Sequence, residues 1–223
     1  MSDSDSFIDE VSEEVRRDRF YGYLRRYGWI GVLLVLLLVG GAAWNEWRKA
    51  RDAAEAQAVG DGILDALETE NEAARIDALA SLGVDGEVLA VPALLTASEM
   101  ERAGDPEGAM AALERVIADD AVRGVYRDLA TLKWVMVSDG LADDAARRDA
   151  LDPLTRPGTP FRMLALEQAA LIDLAAGDTG AALEGLGRIV EDAETTQGLR
   201  ERAESLIVAL GGEAAPRDDA GSQ

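Results

Sequence analysis

Few side chains in this sequence are equipped for chemistry, and their types restrict what they can do. There is no Cys and no His. That removes thiol nucleophiles, disulfides, Cys/His zinc sites, His ligation of haem and His-based proton relays. Carboxylates, hydroxyls and two lysines, Lys49 and Lys133, remain. An enzyme built from these needs a carboxylate pair, a Ser/Lys dyad or a metal. Neither lysine has a nucleophilic Ser in motif context. The doublets Asp119-Asp120 and Asp143-Asp144 lack the alternating oxygen ligands of a calcium loop and read as solvated helix ends. The expectation is therefore a protein with no catalytic residues, no cofactor, no metal and no small-molecule substrate. Partner contact is the chemistry left. Tyr126 and Trp134 are its candidates, since a few aromatic anchors carry most of the energy of an interface. The alternative reading of both is core.

Charge narrows the partners. The 223 residues carry 43 Asp+Glu against 22 Lys+Arg, a formal net charge of −21. Nucleic-acid phosphates would be repelled, so no nucleic-acid partner is expected. Ala dominates the apolar set, while the aromatics are only Trp 4, Tyr 4 and Phe 3. High Ala and Glu with Pro 6 predict helices packed closely through small side chains. The absence of Cys leaves the compartment open and says only that the fold needs no disulfide.

One segment departs from this composition. From Tyr27 to Asn45 the chain carries no formal charge. At about 1.5 Å per residue this run makes a helix of about 28 Å, close to the ~30 Å hydrocarbon core of a bilayer. Tyr27 and Trp29 flank one end and Trp44 and Trp47 the other, as an interfacial aromatic belt requires. A buried core helix and a cleavable signal peptide are the rival readings. The run exceeds a signal core of about 7–15 residues, and the acid-rich stretch Met1–Arg26 before it makes a poor leader. A retained transmembrane helix over 27–47 is favoured. Arg16, Arg17, Arg19, Arg25 and Arg26 precede it, and Arg48, Lys49 and Arg51 follow it. The excess places the N-terminus in the cytoplasm and the C-terminal domain across the membrane. In a Gram-negative bacterium that is the inner membrane and the periplasm.

Residues 1–26 form a short amphipathic tip. Ser6 to Asp9 reads as a helix start, with Ile8, Val11 and Val15 on one face. Its arginines suit anionic headgroups, and a cytoplasmic docking peptide is the second reading.

Residues 48–210 read as paired helices. Gly104 to Ile117 aligns with Gly177 to Val190 without a gap. Gly104 matches Gly177, and Ala109 matches Ala182. Halfway between, Gly140 and Ala145 stand in corresponding places. The period is near 36, close to the 34 of a tetratricopeptide unit. The physical logic is a left-handed Gly, an Asp cap on the next helix and an Ala at the helix contact. Expected helices cover 50–67, 72–82, 92–103, 107–118, 125–138, 143–151, 161–176, 180–192 and 199–210. In the last of these, Leu206 and Leu210 cover the array while Glu201, Arg202 and Glu204 face water. A disordered tail is expected over 211–223. The predicted fold is all-α, a single N-terminal transmembrane helix followed by an α-solenoid of tetratricopeptide-like helix pairs.

These features together resemble a known family. The opening Phe7 to Arg19, the anchor bounded by Tyr27-Gly28-Trp29 and Trp44, and the Gly-Asp-x-x-x-Ala pattern at 104–109 and 177–182 carry the likeness. The chain resembles the ancillary SecYEG translocon subunit family, the YfgM-like tetratricopeptide proteins, in an alphaproteobacterial version. That resemblance implies association with Sec translocon subunits and with a membrane-anchored periplasmic chaperone. It implies no catalytic residues. The expected function is a non-enzymatic interaction module accessory to protein export and envelope folding. An assembly factor or structural subunit of another inner-membrane complex, respiratory or photosynthetic, is the alternative.

Overall fold

The computed structural model describes the backbone of residues 3–212 and the side chains of residues 29–31 and 33–212. All regular secondary structure among the described residues is helical. The chain divides into two compact units, Met1–Ala58 and Val59–Gln223.

The first unit is helix throughout its described part, within α1 (Asp3–Leu67). The helix begins ahead of the expected cap at Ser6. Asp3 and Asp5 favour a helix start themselves, so the first turn moves upstream. Trp29–Leu67 is long and apolar enough to cross a membrane. Its side chains over residues 33–58 are all exposed: Leu36, Leu37 and Leu38 are 63, 68 and 65% exposed. Such a stripe in water would be an aggregation liability, and lipid is the solvent that removes the cost. The side chains of the amphipathic tip, with Arg25, Arg26 and Tyr27, lie outside the described residues.

The second unit starts with the end of α1 and continues through α2 (Glu72–Ala80), α3 (Ala90–Arg102), α4 (Pro106–Ala118), α5 (Gly124–Val137), α6 (Asp144–Leu151), α7 (Arg162–Ala175), α8 (Thr179–Glu191) and α9 (Gln197–Ala209). Short 3₁₀ turns occupy Gly86–Val88 and Asp152–Thr155. The boundaries fall close to those read from the sequence. Pro92 lies in the first turn of α3 rather than at its start, where a missing N–H costs nothing. From α2 to α9 each helix packs on the next one, and α5 also touches α3 and α7. Three apolar clusters result. The first joins α3, α4 and α5 around Ala97, Leu113 and Ala130. The second joins α5, α6 and α7 around Val135, Leu151 and Ile172. The third joins α7, α8 and α9 around Ala170, Leu186 and Ala203. Each fully buried Leu or Ile contributes about 1.5–3 kcal/mol.

The repeat that relates Gly104 to Gly177 extends over three helices. Under the same offset α4 and α8 coincide at both ends, α3 and α7 at their last residue, and α5 and α9 at their first. The turns repeat too. Gly104 and Gly177 sit at φ 80 and 81°, in the left-handed region. Asp105 N donates to Met100 O and Asp178 N to Asp173 O, both at 2.9 Å, the bond that closes a Schellman turn. The Asp105 carboxylate then accepts from Gly108 N, and that of Asp178 from Ala181 N, again at 2.9 Å. Ala109 and Ala182 are fully buried.

The intermediate copy departs from this pattern. Gly140 is left-handed at φ 73°. The N–H groups of Leu141 and Ala142 both turn back to Ser138 O, so the turn is a different one. Ala145 is exposed, which corrects its placement as a packing residue. The helix α6 buries Arg147 and Leu151 instead. Arg147 Nε and Nη2 donate to Val135 O, each at 3.3 Å, and cap the end of α5. Asp139 and Asp144 hold the same guanidinium at 2.9 and 3.0 Å. An arginine cap has replaced the small-residue contact.

The first residues of the expected tail belong to the fold. Gly211 adopts φ 84°, and Gly212 N donates to Ile207 O at 2.9 Å, closing α9. Residues 213–223 lie outside the described residues.

Candidate functional site

The residues singled out for the membrane interface include Trp29, Trp44 and Trp47, which are 64, 64 and 55% exposed. The Trp44 and Trp47 rings lie 5.2 Å apart at 44°. One turn of helix brings them to the same side, an amphipathic pair of the kind that settles at headgroup depth.

Tyr126 and Trp134 share one face of α5, two turns apart. Both are half-buried. Tyr126 packs on the α3–α5 cluster, and the Arg123 guanidinium lies 5.1 Å above its ring. Arg123 Nε also meets Glu87 Oε1 at 2.7 Å. Trp134 wedges between the first and second clusters, and its Nε1 donates to Glu114 Oε1 at 3.0 Å. Each aromatic thus offers an edge to solvent and a body to the core. More exposed apolar residues were not among the sequence candidates: Val91 on α3, Val125 and Met136 on α5, Leu164 and Leu171 on α7, between 37 and 52% exposed. Their signal was an apolar residue off the core stripe of its helix. Val91 and Leu164 occupy equivalent places in the repeat.

Residues 59–212 carry 30 acids and 13 bases. Nine of those bases are arginines within 4 Å of a carboxylate. The buried Glu99 bridges two of them, Arg75 and Arg102, at 2.8 Å each, and Arg75 also caps Thr69 O at 2.9 Å. Glu167 on α7 grips Arg202 on α9 through two bonds of 3.1 and 3.0 Å. That hydrogen bonding raises the guanidinium pKa above its ordinary value. Arg202 was expected to face water; it is exposed and also clamps α9 to α7.

The acid ahead of each repeat's last helix is a turn organiser rather than a solvated end. Asp119 accepts from Ala121 N and from Gly86 N at 2.9 and 2.8 Å. Its counterpart Asp192 accepts from Glu194 N at 2.9 Å and from Arg162 Nη1 at 2.6 Å. The Glu194 N–H, then the Arg162 guanidinium, hold the Asp192 carboxyl below its ordinary value. Arg162 Nε is buried without an acceptor.

Clefts open on this unit among the described residues. One, of about 240 Å³, lies between the end of α2, α3 and α4, with Arg115 among its lining residues. Another, of about 440 Å³, lies between the loop before α7 and the start of α9, lined by Phe161, Arg162, Met163, Glu194 and Leu199. No group of three or more His, Cys, Asp or Glu placed to hold a metal ion occurs among the described residues.

No protein-family model matches this chain, and comparison with curated proteins and with solved structures gives no match.

Proposed function

We propose that this protein is a single-pass, membrane-anchored protein-interaction module. The observation that carries the reading is the pairing of two features: an apolar helix whose leucines are exposed, and an all-helical body with an internal three-helix repeat. In this reading α2 to α9 form a short tetratricopeptide-like solenoid. Support comes from the packing of neighbour on neighbour, the contacts of α5 with both α3 and α7, and the shared Gly-Asp turns. The arginine excess before the span puts the N-terminus in the cytoplasm and the body in the periplasm. By resemblance, the partners are Sec translocon subunits and a membrane-anchored periplasmic chaperone, and the role is accessory to protein export and envelope folding.

The acidic body should meet basic partner surfaces faster than neutral ones, with affinity resting on apolar and aromatic anchors. The test is photocrosslinking in living cells from positions 126, 136 and 164. Capture of translocon subunits or of a periplasmic chaperone supports the reading. Capture of respiratory or photosynthetic subunits instead assigns the module to the assembly of another complex. In a purified pair, raising salt from ~50 to ~500 mM should slow association several-fold through screening and leave dissociation nearly unchanged.

A further inference from the structure

We propose that the cleft between α2, α3 and α4 receives the end of a polypeptide chain: an apolar last side chain enters it, and the terminal carboxylate meets Arg115. The proposal rests on the reading of the body as an interaction module and names a partner chemistry for it.

The lining decides the chemistry. Leu79, Leu89, Pro92, Ala93, Met100 and Ala112 supply apolar walls, and Arg115 is the one ionisable residue among those lining the cleft. The polar groups beside it are committed inside the fold. Thr96 Oγ1 donates to Pro92 O at 2.8 Å, and Gly108 N donates to Asp105. At about 240 Å³ the cleft is smaller than the ~300–1,000 Å³ pockets that enclose a drug-sized molecule. It has room for one or two apolar side chains. A long acyl chain with a carboxylate head carries the same two chemistries, but its tail outgrows this space.

Arg115 is one of three bases of the body, with Lys133 and Arg188, that meet neither a carboxylate within 4 Å nor a backbone carbonyl among the described residues, and of the three it alone lines this cleft. Nine arginines are paired with carboxylates, and Arg200 donates to the carbonyls of Val190 and Asp192. Arg115 is exposed and has no carboxylate within 4 Å among the described residues. Its place in the last turn of α4 suits the helix dipole, as does that of its repeat counterpart Arg188 in α8. The dipole accounts for the charge at both positions, but only Arg115 borders this apolar floor. A guanidinium grips a carboxylate through two parallel bonds. A chain end is the peptide element that places a carboxylate and an apolar side chain on one residue. The surrounding field, net −17 over residues 59–212, then favours basic residues upstream of that end.

The experiment uses the full chain in detergent micelles and a fluorescent Lys-Lys-Gly-Ala-Ala-Leu peptide, as free acid and as C-terminal amide. We expect amidation and Arg115→Gln each to weaken binding by about tenfold or more, as loss of a charge-assisted contact does. Arg188→Gln should change it less than twofold, and thermal melting of all variants should match the parent. Equal binding of acid and amide overturns the cleft assignment and leaves the interaction-module reading standing, since the acidic surface alone then holds the peptide. Equal loss in Arg115→Gln and Arg188→Gln also overturns it, because the effect is then one of overall charge. Binding of neither peptide, or displacement of the peptide by palmitate below palmitate's micellar range, overturns it as well.

Discussion

The three-helix segments α3–α5 and α7–α9 are two copies of one design, and they differ in an instructive way. At the helix contacts they agree. Ala97 and Ala170, Ala109 and Ala182, Leu113 and Leu186, Val116 and Ile189, Ala130 and Ala203 stand at equivalent places, and all are buried. Around that shared frame the copies diverge. The second has Leu199 and Ile207 where the first has Tyr126 and Trp134. The second has Arg162 where the first has the buried Leu89, so Asp192 binds a guanidinium while Asp119 binds the backbone of Gly86. In the second copy Gly185 replaces Ala112, and a methyl group there would come within 3.2 Å of the Ala170 side chain. The second copy has aliphatic packing and a charged clasp, and Arg162 of that clasp lines its cleft. The first keeps two half-exposed aromatics and a smaller, mostly apolar cleft with one cation at its edge. Positions held in common carry the fold, and positions that differ are where a partner surface can be sought.

Overpacking the shared alanines is the strongest way to break this comparison. Ala109→Trp and Ala182→Trp should each cost about 1–3 kcal/mol or more and lower the melting temperature by similar amounts. Ala145→Trp should leave it nearly unchanged, because that side chain points to solvent. If all three behave alike, the copies do not share a contact and the repeat is only a sequence coincidence.

A smaller effect should follow at the turns. Gly104→Ala and Gly177→Ala force a side chain into the left-handed region, at a cost of about 1–2 kcal/mol each. Nothing lies within 4 Å of a methyl group at either position, so the strain is conformational. Equal losses by chemical denaturation would sharpen the equivalence of the two turns, and a loss confined to one would break it.

Much of this frame was legible in the sequence. The charge-free run, the helix boundaries and the Gly-Asp turns follow from local chemistry, where the residue type and the backbone requirement coincide. The two-copy turn at 104 and 177 was readable because both elements of the signal, Gly and Asp, recur with the Ala one helical turn on. The middle copy misled because Gly140 and Ala145 preserve the spacing without the cap. Whether an Ala faces a neighbour depends on how a short helix is rolled, and Arg147 set that roll by binding the end of α5. Long-range pairs such as Glu167 with Arg202 and Asp119 with Gly86 leave no local trace. Nor does the half-burial of Tyr126 and Trp134, since a single stripe on α5 serves both core and surface. Trp134→Ala follows from that double role. It should speed release of a bound partner and also lower the melting temperature, because the ring fills space between two clusters. Faster release without any loss of stability would place Trp134 wholly on the surface.

The smallest expected effect is also the most selective between the copies. Asp192 accepts the Glu194 N–H and the Arg162 guanidinium as a carboxylate, so folding favours its charged form and its pKa falls below the ordinary 3.8. A group whose pKa is depressed by folding contributes stability above its unfolded pKa and loses it as pH drops through the folded value. Asp192→Asn keeps an acceptor for Glu194 N–H but removes the charge opposite Arg162. At pH 7 the variant should melt below the parent. As pH falls from about 5 toward 3 the parent's advantage should shrink, because protonated Asp192 then resembles Asn. The two melting curves should approach each other toward the acid end and meet only below the depressed folded pKa. Asp119→Asn is the matching change in the first copy, where the Oδ2 partner is an uncharged N–H. Its gap from the parent should depend on salt less than that of Asp192→Asn, since no opposite charge is there to be screened. A constant gap for Asp192→Asn across that pH range would mean that the clasp between α7 and the α8–α9 turn does not depend on charge, and that the two copies differ in shape alone.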